Sequence, residues 1–106
     1  MKELYTQLLE LTKTLPVNNS ITEAKRLSGI LDKYKAILET VNQSSEELKR
    51  QTNLYYTEIS RIENDINNSI VAKSKRQRDI AFYDAVKGLR SDMTALSRLI
   101  KVPENS

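Results

Sequence analysis

The sequence has no cysteine, no histidine and no tryptophan, and only one phenylalanine, two prolines and two glycines in 106 residues. Without thiols or imidazoles there is no disulfide staple, no zinc site of the usual Cys/His kind, no thiol nucleophile and no histidine base. The neighbouring carboxylates Glu58, Glu63 and Asp65 lack the Glu-x-x-His pairs of a helical di-metal site. A serine nucleophile would lack its imidazole. These absences predict a protein that is not an enzyme and uses no cofactor and no metal. Two glycines leave almost no tight turns, which argues against a sheet-rich fold. Between Pro16 and Pro103 the chain contains no residue that reliably breaks a helix. No apolar run approaches the ~20 residues that span a bilayer. The start, Met1-Lys2-Glu3-Leu4-Tyr5, lacks the basic and apolar regions of a signal peptide. The expectation is a soluble, cytoplasmic chain with no membrane partner.

Helix formers dominate what is present. Leu4, Leu8, Leu11 and Leu15 recur at four- and three-residue steps and predict a helix over 2–15, stopped by Pro16. Ser20-Ile21-Thr22-Glu23 fits a capping box and opens a second helix. From Ala24 a heptad frame then runs through Leu27, Leu31, Tyr34, Leu38, Val41, Ser45, Leu48, Thr52, Tyr55, Ile59, Ile62 and Ile66. Only Ser45 and Thr52 are polar, and both read as small residues tolerated in the seam. The unbroken frame favours one helix over 21–67, about 65–70 Å long. Ser44 and Glu47 form a second capping-box pattern, so 43–45 is where this helix would break if it does.

The frame fails after Ile66. Asn67-Asn68-Ser69 is turn-prone, and Lys73 to Asp79 contains no apolar residue. A new repeat, Phe82, Val86, Leu89, Met93, Leu96 and Ile100, predicts a third helix over 78–101, followed by a tail at 102–106. Gly88, off this seam, reads as tolerated. The expected fold is all-α: an elongated, three-helix coiled-coil-type bundle with one long central helix, in a single domain. Mostly two helices across, such a rod leaves part of its Leu/Ile face open, and exposed stripes of that kind mark interfaces. Homo-oligomerisation along Leu27, Leu31, Leu38, Val41, Leu48, Tyr55, Ile59, Ile62 and Ile66 would cover it.

Net charge is +3, and the excess is local: residues 70–106 carry eight basic side chains against four acidic. Lys73, Lys75, Arg76 and Arg78 are dense enough to meet successive phosphates, with Lys87, Arg90, Arg98 and Lys101 extending the surface. Tyr83 and Tyr56 lie off the seam, where a ring could stack on a base. A charged, solvated connector is the plainer reading of the same run. The segment from Lys75, with Tyr83, Ala85-Val86, Leu89-Arg90, Asp92, Leu96 and Ile100, resembles the C-terminal helix of small helical accessory proteins in tailed-phage recombination and replication modules, UvsY-type mediators among them. The resemblance covers the last third of the chain. It implies an oligomeric DNA-binding accessory factor, with Lys73, Lys75, Arg76 and Arg78 on phosphate. Three functions follow: a coiled-coil adaptor acting through protein partners, a nucleic-acid-binding accessory protein, or a small helical inhibitor of a host or defence protein. The adaptor is the leading expectation.

Overall fold

The computed structural model describes residues 1–101, and the tail expected at 102–106 lies outside them. The described chain is all-helical: α1 (Lys2–Lys13), α2 (Ile21–Asn42), α3 (Glu46–Thr52), α4 (Tyr55–Val71) and α5 (Lys75–Ile100). Local signals set several of the ends. Ser20 caps α2, its hydroxyl accepting from the Glu23 N–H at 3.0 Å. The Glu23 carboxylate does not return to Ser20 but pairs with Arg26 at 2.7 Å. An Arg26 guanidinium N–H donates to the Thr14 carbonyl, so the start of α2 satisfies an orphan acceptor at the end of α1.

The long central helix is not continuous. Ser45 adopts extended geometry and caps α3, its hydroxyl accepting from the Leu48 N–H at 3.1 Å. The cap is therefore one residue beyond the Ser44 pattern. The two polar residues of the heptad frame mark this reversal: Ser45 opens α3 and Thr52 closes it. Thr52 is fully buried. Its hydroxyl donates to the Leu48 carbonyl at 2.7 Å and accepts from the Asn42 amide at 2.9 Å. The same amide reaches the Asn53 side-chain oxygen at 3.0 Å and the Lys49 carbonyl at 3.3 Å. Asn42 thus ties the end of α2 to α3. Removing it by Asn42→Ala leaves a buried threonine hydroxyl one partner short, and should cost about 1 kcal/mol in urea unfolding with an unchanged m value. Between α3 and α4 the backbone stays right-handed at Asn53 and Leu54. The ladder there tightens to i→i+3, with Tyr56 N to Asn53 O at 3.3 Å and Thr57 N to Leu54 O at 3.2 Å. The chain thus passes from α3 into α4 through a two-residue turn of right-handed backbone.

After the reversal α4 returns antiparallel along α2. Lys35 pairs with Glu63 at 3.6 Å, and Ala24 and Lys25 share a recess with Ile66 and Ile70. α5 turns back along α4, with Gly88 against Ile62 and Asp84 near Asp65. α1 runs antiparallel to α2, Thr6 and Gln7 lying beside Ala36 and Ile37, and packs on α5 as well. The outcome is a four-helix, up-down-up-down bundle in which α3 closes one end. Its principal extents are 50 × 24 × 16 Å, far from a 70 Å rod.

This closure changes where the seam lies. Leu27, Leu31, Leu38, Val41, Ile59, Ile62 and Ile66 are all buried within the chain, while Leu48 and Tyr55 pack at the core's margin. Among the described residues the face expected to lie open on a two-helix rod packs into the chain's own core, so that seam is not exposed for self-association. Gly88 is also more than tolerated. A Cβ there would meet the Ile62 side chain at 3.3 Å, so the absent side chain lets α4 and α5 approach.

Candidate nucleic-acid interface

Two further boundaries differ from expectation and bear on the basic residues. Asn67, Asn68 and Ser69 remain inside α4, whose last residue is Val71. α5 begins at Lys75, so most of the basic cluster is helical rather than part of a connector. Ser74 caps this helix, its hydroxyl accepting from the Gln77 N–H at 3.1 Å. The first turn of α5 contains no acidic residue and instead holds Lys75 and Arg76 at the positive end of the helix dipole. Cations there are unfavourable by a few tenths of a kcal/mol each, and an anion would be favoured. Local rules broken in this way tend to mark binding surfaces.

The four clustered cations divide in two. Arg78 is half-buried and donates to the Ala72 carbonyl at 2.9 Å and to the Lys73 carbonyl at 3.3 Å, closing the end of α4. Lys75 donates to Asp79 at 2.9 Å, and Asp79 also accepts from the Asn19 amide at 3.0 Å. Those two hydrogen bonds, Asn19 first, hold the Asp79 carboxyl below its ordinary range. Lys73 and Arg76 are exposed and pair with no described carboxylate. Arg78 therefore has a structural task, and Lys73 and Arg76 are the members open to a ligand.

Helical spacing carries the charge further than the cluster. Arg76, Ile80, Tyr83, Lys87, Arg90, Thr94 and Arg98 follow one another at three- or four-residue steps, which places them within an arc of about 80°, and Lys101 lies just past the helix end. All are exposed except Thr94, which is half-buried. No carboxylate interrupts the row; Asp79 and Asp84 flank it. The row is about 33 Å long on a helix whose opposite face, from Phe82 to Ile100, is core. Ile80 and Tyr83 form an apolar spot inside it, and the Tyr83 ring stands edge-on to Phe82 with centroids 5.6 Å apart. Tyr56, the other ring off the seam, lies on α4 and borders on exposed.

Beside this row, α4 and α5 leave a cleft of about 300 Å³ lined by Glu58, Asp65, Asp84 and Asp92 together with Arg61 and Lys87. Burial is the main cause of the raised Asp65 carboxyl, with Asp84 adding and Arg61 opposing. Burial and then Glu58 push Asp92 up to about 6. One Asp92 oxygen and the hydroxyl of fully buried Tyr34 have no hydrogen-bond partner among the described residues. Burial and then Asp92 raise the Tyr34 phenol well above its ordinary value. Among the described residues no three potential metal ligands are grouped to hold an ion. No described helix is long and apolar enough to cross a membrane. Comparison of the chain with family models, curated proteins and solved structures finds no match in any of the three.

Proposed function

We propose that this protein is a non-enzymatic helical accessory module that binds the phosphate backbone of a nucleic acid along α5. The observation that carries the reading is the carboxylate-free solvent face of α5, which presents Arg76, Lys87, Arg90 and Arg98, with Lys101 just past its end. Backbone binding needs cations on a surface the fold does not otherwise use. Lys87, Arg90 and Arg98 meet that condition: each is exposed, and none pairs with a described carboxylate. The adaptor reading drew its strength from an open Leu/Ile seam, and that seam is internal. Base specificity has no support in the geometry, so the binding is to backbone and tolerant of sequence.

The test is fluorescence anisotropy with single- and double-stranded DNA across a salt series, comparing the natural protein with a Lys87→Gln, Arg90→Gln, Arg98→Gln variant. These residues lie opposite the core, so helicity should be retained. Affinity should fall at least about tenfold, and the slope of log affinity against log salt should flatten by roughly 0.7–0.9 for each contact removed. Absence of binding by the natural protein at about 50 mM salt, where backbone contacts are strong, would overturn the reading.

A further inference from the structure

A different surface lies at the end of the bundle where the α1–α2 and α4–α5 connections meet. The Asn19 side chain ties the α1–α2 connection to the first turns of α5 through its hydrogen bond to Asp79. Among the described residues, five of the ten exposed large apolar side chains stand here: Val17, Ile21, Ile70, Val71 and Ile80. Scattered singly they would need no explanation, but all five lie within two turns of the helix ends that meet here. Three are among the most exposed apolar residues of the chain, Val17 at 75%, Ile21 at 65% and Val71 at 61%.

The charges around the patch select its occupant. Both carboxylates at this end are already engaged, Glu23 by Arg26 and Asp79 by Asn19 and Lys75. Lys73 and Arg76 pair with no described carboxylate. The end is therefore both apolar and cationic. A second copy meeting it end to end would set Lys73 and Arg76 against their own kind. A lipid surface fits less well, because the exposed residues are short aliphatics set among the amides and hydroxyls of Asn18, Asn19 and Ser20. An amphipathic helix with aliphatic side chains on one face and carboxylates along its edges matches both properties.

We infer that this end of the bundle docks an acidic, aliphatic helical segment of a protein partner. The docking surface is distinct from the nucleic-acid face and shares only Arg76 and Ile80 with it. A chain bearing both surfaces joins a nucleic acid to a protein.

The probe is a synthetic amphipathic peptide of leucine and glutamate in heptad order, titrated into isotopically labelled full-length protein and followed by amide chemical shifts. Shifts should concentrate in residues 17–22 and 70–76. Replacing the peptide's glutamates by glutamine, or making Ile21→Glu with Val71→Glu in the protein, should each weaken binding by about tenfold or more. Both substituted residues are exposed, so the variant should keep its helicity and its DNA affinity. The Lys87→Gln, Arg90→Gln, Arg98→Gln variant should bind the peptide normally. Equal binding of the glutamine peptide, or shifts confined to the recess between α1 and α2, would overturn the assignment. So would sedimentation with phosphatidylglycerol vesicles in the absence of peptide binding, which would make the occupant a lipid surface. Concentration-dependent shifts at this end without peptide would make it a second copy.

Discussion

Replacing Phe82 by alanine should cost about 3–5 kcal/mol, as truncation of a fully buried aromatic does. Phe82 is 0% exposed and opens the core face of α5. That face packs against both α4 and α1, so the cavity cannot be filled by moving one neighbour. Two companion truncations separate the bundle from a two-helix rod. Ile59 and Leu48 both lie on the apolar seam of the heptad frame, one in each of its two series, and a rod would bury both. In the bundle Ile59 is buried, whereas Leu48 sits half-buried on the short α3. Ile59→Ala should therefore cost about 2–4 kcal/mol and Leu48→Ala about 1 kcal/mol. Urea unfolding of the three variants checks the order. Equal losses at 48 and 59 would contradict it.

Asp92→Asn should stabilise the protein at neutral pH. In the folded state the carboxyl is pushed up to about 6, above its ordinary 3.8, because it is partly buried and lies near Glu58. A raised acid pKa means that the folded state holds the proton more tightly than the unfolded chain. The associated stability is fully present below about pH 4 and is lost as pH rises through about 6. Above that, the natural protein keeps a partly desolvated charge that faces Glu58 on α4, with the Tyr34 phenol of α2 and the Tyr55 phenol of α4 nearby. Arg61 and Lys87 line the same cleft but form no ion pair with Asp92. Discounted for its remaining exposure, the shift corresponds to about 1–2 kcal/mol. Thermal melts at pH 7.5 should therefore show Asp92→Asn several degrees above the natural protein, with the difference vanishing near pH 4. Tyr34→Phe serves as the control. Its hydroxyl has no hydrogen-bond partner, so its removal should be close to neutral. A destabilised Asp92→Asn at neutral pH would mean that the carboxylate is held by a favourable contact.

Much of this architecture was legible because local signals and the core pattern agreed. Pro16, the Ser20 cap and the apolar repeats place α1, the start of α2 and the body of α5 with their faces correctly assigned. The reversal after Asn42 was harder to read because the heptad count passes through it without insertion. Helix period alone cannot distinguish a straight helix from two helices whose faces both point inward. The signal lay in the exceptions, since the frame's two polar members are the cap of α3 and its last residue. Asn42 gave no periodic hint. Its role rests on a buried side-chain hydrogen bond to Thr52, ten residues on, which pattern reading does not capture. At the candidate site the basic residues were evident, but their separate tasks were not. Arg78 and Lys75 look like Lys73 and Arg76 in sequence, yet one closes α4 and the other holds Asp79. Only the placement of carbonyl and carboxylate partners separates them.

The distance between residues 35 and 63 tests most directly whether the chain closes its own apolar face. Lys35 on α2 and Glu63 on α4 are paired at 3.6 Å. The chain has no native cysteine, so Lys35→Cys and Glu63→Cys can carry a unique pair of spin labels. Neither position is in the core, and the ion pair lost contributes little at the surface. In the bundle the two labels sit on neighbouring helices whose axes are about 8–10 Å apart. Pulsed dipolar spectroscopy on the labelled protein, diluted with unlabelled protein, should give one short-distance population under about 25 Å once the label arms are included. A population near 42 Å, the length of the intervening chain as one continuous α-helix, would contradict the bundle. It would reopen the Leu/Ile seam to solvent and return the adaptor reading to first place.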